Sequence, residues 1–120
     1  MQPGKHGTTF GGNPVSCAAA GAVLHVIDDD FCHGVATQGQ RLAELITERV
    51  PGVVEVRGRG HMVGVVLEQP IAQEVVKEAL NHGLILNAPS PSVLRLTPPL
   101  VVTEEDCETA VSRLAETITH

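Results

Sequence analysis

The chain has 120 residues and a formal net charge of −6, with 14 acidic against 8 basic side chains, 42% hydrophobic residues and only two aromatics, Phe10 and Phe31. That length suits one small domain, which buries roughly two thirds of its unfolded surface. The charge argues against a nucleic-acid or anionic-membrane partner, since either needs clustered Lys and Arg. No apolar run reaches the roughly 18 residues that cross a bilayer. The opening Met1-Gln2-Pro3-Gly4-Lys5-His6-Gly7 lacks both the apolar core of a signal peptide and the Arg/Ser bias of a transit peptide. Cys17, Cys32 and Cys107 are odd in number, far apart and without a C-x-x-C pair, which reads as reduced thiols in a cytoplasmic protein.

Residues 1–13 form a Gly/Pro/Thr-rich loop that precedes any periodic pattern. Asn13-Pro14 has the residue types of a helix start, because Asn caps orphan N–H groups and Pro at the first position already has a helical φ. Val15 to Ile27 then reads as a helix apolar almost all round, the pattern of an element packed on most sides. Asp30 is the expected cap of a second helix, from about Phe31 to Arg49, with Val35, Leu42, Leu45 and Ile46 as its apolar stripe and Pro51-Gly52 as its stop. Val53 to Arg57 and Met62 to Leu67 are Val-rich strands joined by a turn at Gly58-Arg59-Gly60-His61. Gly58, Gly60 and Gly64 lie between strands rather than before a helix, so they read as structural residues of a hairpin or bulge.

A third helix is expected from about Pro70 to His82, with Ile71, Val75, Ala79 and Leu80 on one face and Gly83 ending it. Leu84 to Asn87 and Val93 to Leu96 read as short strands separated by Ala88-Pro89-Ser90-Pro91-Ser92. Thr103-Glu104-Glu105-Asp106 has the pattern of a capping box, and Cys107, Ala110, Val111, Leu114 and Ile118 continue it at the helical period. From Val53 onward the order describes an α/β fold of the α+β kind, with helices on one face of a mostly antiparallel sheet.

Two places carry chemistry. The first is the front loop, His6-Gly7-Thr8-Thr9-Phe10-Gly11-Gly12-Asn13-Pro14. Hydroxyls, flexible glycines and a following helix N-terminus suit a phosphate or carboxylate, although the same residues also suit an ordinary loop-to-helix turn. The second is Arg95, read either as a carboxylate ligand or as a charge on an edge strand. The six histidines show no H-x-x-x-H or H-x-H spacing, so no metal site is expected. The serines lack a nucleophile-elbow context, and Cys17, on the apolar helix, reads as inert packing.

Gly4-Lys5-His6-Gly7-Thr8-Thr9-Phe10-Gly11-Gly12-Asn13-Pro14 with its Ala-rich helix resembles the phosphate-site loop of class III pyridoxal-phosphate aminotransferases, in particular their acetylornithine and ornithine branch. Val56-Arg57-Gly58-Arg59-Gly60-His61-Met62-Val63-Gly64 and Leu94-Arg95-Leu96-Thr97-Pro98-Pro99-Leu100 agree in order, so the resemblance spans essentially the whole chain. It implies that Thr9 bonds the phosphate of pyridoxal 5′-phosphate across a homodimer interface, that Thr8 touches substrate, and that Arg95 binds the substrate α-carboxylate.

The family's chemistry also needs a lysine that holds the cofactor covalently, a carboxylate at the pyridine nitrogen and a stacked aromatic. The chain has only Lys5 and Lys77, neither at the family's catalytic position. The resemblance is therefore to the C-terminal portion of such an enzyme. On that reading residues 1–30 end the cofactor-binding large domain, and residues 31–120 form the small C-terminal domain. The implied parent passes an amino group from N-acetylornithine or ornithine to 2-oxoglutarate, a step of arginine biosynthesis, and the chain alone is expected to be inactive. Three alternatives stay open: a fragment of another ω-aminotransferase, a free-standing amino-acid-binding regulatory domain, and a pure oligomerisation module.

Overall fold

The computed structural model describes residues 7–119; Lys5, His6, His120 and the first six residues of the expected 1–30 segment lie outside them. Two compact units are present, Met1–Cys32 and His33–His120. In the first, helix α1 runs over Pro14–Val26 with Pro at its start, and the Asn13 Oδ1 accepts from the Ser16 N–H at 3.0 Å. The cap thus stands where its residue type predicts. The packing does not: α1 buries none of its residues, and Val15 is 80% and Leu24 71% exposed. Cys17 is accordingly exposed rather than buried packing, because it lies on α1, which buries none of its residues.

Helix α2 spans Asp29–Arg49, and its cap is Asp28, not Asp30: the Asp28 Oδ1 accepts from the Phe31 N–H at 2.8 Å. An aspartate reaches the N–H three residues on, so the run of three selects its first member, and Asp29 and Asp30 fall inside the first turn. Gly39, Leu42, Leu45 and Ile46 are its buried residues.

The sheet has four strands in the order β1-β2-β4-β3, all neighbours antiparallel, with β1 Val53–Arg59, β2 Met62–Leu67, β3 Asn87–Ser90 and β4 Val93–Leu96. β1 and β2 are joined by the two residues Gly60-His61, with Arg59 opposite Met62. Gly60 has φ +54° and, among the described residues, no non-glycine residue has positive φ, the distribution of a type II′ hairpin turn. Helix α2 crosses this turn closely. A Cβ on Gly39 would run into the Gly60 carbonyl, so any larger residue there pushes the helix off the hairpin.

The third strand departs from expectation. Leu84, Ile85 and Leu86 alternate like a strand, but β3 begins only at Asn87. Pro91-Ser92 forms the two-residue connection to β4, and this pairs Ser90 with Val93 and Asn87 with Arg95. Leu84 and Leu86 instead anchor an extended connection to the core while Ile85 points away, 86% exposed. Pro89 is tolerated because β3 is an edge strand.

Helix α3 is shorter than expected, Ala72–Ala79, and Leu80 lies outside its buried face, 61% exposed. Gly83 closes the turn beyond, its carbonyl accepting from Arg113 at 3.0 Å. Helix α4, Glu104–Thr119, opens with a reciprocal capping box. The Thr103 Oγ1 accepts from the Asp106 N–H at 3.1 Å, and Asp106 accepts from the Thr103 hydroxyl at 2.6 Å and N–H at 3.1 Å. Together α2, α3 and α4 cover one face of the sheet. Leu42, Leu45 and Ile46 of α2, Val63, Val65 and Leu67 of β2, Leu94 and Leu96 of β4, and Val111 and Leu114 of α4 form one buried cluster. Among the described residues no helix is long and apolar enough to cross a membrane.

Three measurements test this packing. Leu45→Ala, at a site with no exposed surface, should cost about 2–5 kcal/mol in chemical denaturation. The hydroxyl and then the N–H of Thr103 hold the Asp106 carboxyl below its ordinary value. A carboxylate with a lowered folded pKa stabilises the fold above the unfolded value of about 3.9 and loses that contribution as pH falls through the folded value. The thermal midpoints of wild type and Asp106→Asn should therefore differ at neutral pH and converge in acid. The Cys107 thiol is buried and pushed up, first by desolvation and then by Asp106 and Glu104. A thiol reagent should modify Cys17 and Cys32 promptly and Cys107 only when the fold opens.

Candidate functional site

The site residues named above fall in both units. Thr8 and Thr9 are exposed and adjacent in the loop before α1. The end of that loop is ordered by Asn13, whose Nδ2 donates to the Phe10 carbonyl at 2.8 Å and to the Ser16 Oγ at 2.9 Å. With Asn13 tied down on both sides, the two threonine hydroxyls stand ahead of a capped helix start, a polarity that suits an anion. These are the residues present that fit a cofactor phosphate.

Arg95 belongs to the second unit, on β4 between the buried Leu94 and Leu96. The alternation of a strand sends those two leucines into the helix-covered core and Arg95 to the opposite face. The same alternation applies on β2, where Val63, Val65 and Leu67 are buried and Gly64 faces with Arg95. On β1, Arg57 is opposite Gly64, and on β3, Asn87 is opposite Arg95. One row across the face opposite α2, α3 and α4 therefore reads Arg57, Gly64, Arg95, Asn87. Among the described residues no carboxylate pairs with Arg95, whereas Arg57 has Glu55 at 3.8 Å, both well exposed. An exposed pair at that distance contributes little.

Arg95 also lines a cavity of about 370 Å³, together with Leu84, Leu86, Thr97, Asp106 and Cys107. The loop that follows it is pinned twice. The buried His61 donates from Nδ1 to the Pro99 carbonyl at 3.1 Å, and the Gln38 amide donates to the Val102 carbonyl at 2.9 Å. Among the described residues the buried His61 Nε2 has no hydrogen-bond partner, so the ring acts through Nδ1 alone, as a spacer at the hairpin tip. The sequence places His61 in the turn after Gly60 but gives no sign of its contact with Pro99. Among the described residues no three His, Cys, Asp or Glu side chains gather into a metal-binding group. Lys77 is exposed on α3 and not part of this row.

With the geometry in hand, comparison with known proteins gives a consistent result. The family model described as aminotransferase class-III matches residues 1–118. An acetylornithine aminotransferase of Corynebacterium efficiens is 59% identical over 113 residues, covering 94% of this chain and 28% of that protein. One from Caldanaerobacter subterraneus is 42% identical and covers 100% of this chain and 32% of its own length. Among solved structures, the acetylornithine aminotransferase from Elizabethkingia anophelis superposes with a TM-score of 0.80 at 31% identity, covering 99% of this chain and 33% of that one. An ornithine aminotransferase from Toxoplasma gondii, with pyridoxal phosphate (PLP) partly occupying its active site, gives 0.78 at 31% identity over 98% of this chain and 29% of its own. The chain thus spans about a third or less of the proteins it matches, and by a match that runs over nearly all of its length it belongs to the class-III aminotransferase family.

Proposed function

We propose that this chain is part of a pyridoxal-phosphate-dependent acetylornithine aminotransferase, in which it supplies a phosphate contact and the carboxylate-binding arginine. The observation that carries the reading is Arg95: a guanidinium with no carboxylate partner among the described residues, on the sheet face opposite α2, α3 and α4. Such a group is an always-charged, bidentate partner for a substrate carboxylate, and the fold leaves it free for one. The level of similarity to acetylornithine aminotransferases favours N-acetylornithine as amino donor and 2-oxoglutarate as acceptor, in arginine biosynthesis. The similarity to ornithine aminotransferases keeps ornithine as the second reading.

The cofactor, when bound, supplies the electron sink for moving the amino group. This chain's share is to hold and orient. The Thr9 hydroxyl donates to the cofactor phosphate, in the neighbouring subunit of a homodimer, and Thr8 borders the substrate. Arg95 fixes the substrate by its α-carboxylate, so that the reacting carbon is presented in one orientation. Residues 1–30 belong to the large, cofactor-binding domain and residues 31–120 to the small one, a division that the two compact units support. The bare apolar surface of α1 supports the same reading, since a helix with that composition is stable only when packed. The enzyme works in the cytoplasm, where Cys17 and Cys32 stay reduced.

The test uses the full-length enzyme that carries this segment. Transamination from N-acetylornithine to 2-oxoglutarate should exceed that from ornithine. Arg95→Gln should raise KM for both substrates about 10- to 100-fold, the loss of a charged hydrogen bond to a carboxylate, and Thr9→Ala should weaken PLP binding about tenfold. The 120-residue chain alone, mixed with PLP, should show no turnover. Unchanged KM values in Arg95→Gln would sink the carboxylate role, and turnover by the isolated chain would sink its dependence on a missing lysine.

A further inference from the structure

Gly64 sits between two arginines for a reason its backbone does not supply. Its φ is not positive, so any residue could adopt its conformation in the strand. What occupies the space above it is Arg57: a Cβ on Gly64 would come within 3.6 Å of the Arg57 Cγ and 3.9 Å of its Nε. The Arg57 stem therefore lies over Gly64, on the side where the next residue in the row is Arg95. Two inter-strand spacings separate the α-carbons of Arg57 and Arg95, about 10 Å, a gap that two arginine side chains rising from one face can close between them.

The surroundings are cationic and open. Arg57, Arg59 and Arg95 line one groove of about 570 Å³, together with Gly64, Met62 and Val93. Three of the six arginines of a chain with net charge −6 are thus collected on one sheet face. Glu55 is the acidic neighbour, and its 3.8 Å exposed contact with Arg57 is too weak to neutralise the row. Like charges held side by side on a sheet are unfavourable unless an anion enters between them.

We propose that Arg57 is a second carboxylate-binding residue, which shares the substrate carboxylate with Arg95 across the space that Gly64 leaves open. This rests on the carboxylate role given above to Arg95 and extends it to β1. The arrangement places one anion between two planar, bidentate donors, which fixes its orientation more tightly than a single guanidinium does.

The experiment follows the arginine Nε–Hε resonances of the 120-residue chain while sodium butyrate is added at low ionic strength, where exposed charges are least screened. Arg57 and Arg95 should move on one binding curve. Arg57→Gln should weaken butyrate about tenfold, Arg57→Lys by less, and Gly64→Val, which displaces the Arg57 stem, should resemble Arg57→Gln with the circular dichroism spectrum unchanged. A stationary Arg57 resonance with a moving Arg95, or wild-type affinity in Arg57→Gln, overturns the proposal and leaves the Arg95 role intact. If neither resonance moves, both are overturned.

Discussion

The rest of the structure depends on the commitment of one sheet face to the core. β2 and β4 are the central pair, and each sends alternate residues, Val63, Val65 and Leu67 on one, Leu94 and Leu96 on the other, into contact with α2, α3 and α4. Because the side-chain period of a strand is two, burying these positions also decides the fate of their neighbours. Gly64 and Arg95 have no choice of side. A register slip by one residue would place the Arg95 guanidinium in the apolar cluster, where an unpaired charge costs several kcal/mol. Core packing and ligand binding are thus two results of one alternation.

That alternation sets direction but not position. Position along the strand comes from what holds the ends of β4. At one end the Pro91-Ser92 connection fixes the pairing with β3. At the other, Pro99 and Val102 are pinned by His61 and Gln38, residues from the hairpin tip and from α2. The absence of a side chain at Gly39 lets the helix come near enough to the hairpin for both contacts to form. A long-range latch of this kind restrains the segment that leaves the arginine, and so limits how far the guanidinium can wander.

Local rules recovered much of this. Thr103 and Asp106 form the capping box that their spacing predicts, and Asn13 and Pro14 start α1 as their types require. In each case donors, acceptors and backbone lie within four residues. Misreadings arose where a local pattern had two uses. Leu84-Ile85-Leu86 alternates as a strand does, but the pairing partner of β4 was chosen by the short turn behind it, which moved β3 to Asn87–Ser90. Asp28, Asp29 and Asp30 are chemically equal, and only the helix start distinguished them. Leu80 is apolar yet falls past the end of α3, and Cys17 lies on α1, which buries none of its residues despite its apolar composition.

A short acidic chain with 8 basic against 14 acidic side chains argues against a nucleic-acid partner, which needs clustered Lys and Arg. The sequence by itself determined the family, the α+β class and the caps at Asn13 and Thr103, and through the family motif it named Arg95 as the carboxylate candidate, because each of these is written in neighbouring residues or in short motifs. Only the tertiary structure decided which face of the sheet packs against α2, α3 and α4, that the Arg57 stem lies over Gly64, and that His61 anchors Pro99. The physical reason is distance along the chain. Arg57 and Arg95 become neighbours through two sets of interstrand hydrogen bonds, and no period or motif in either segment encodes that the two strands flank the same glycine.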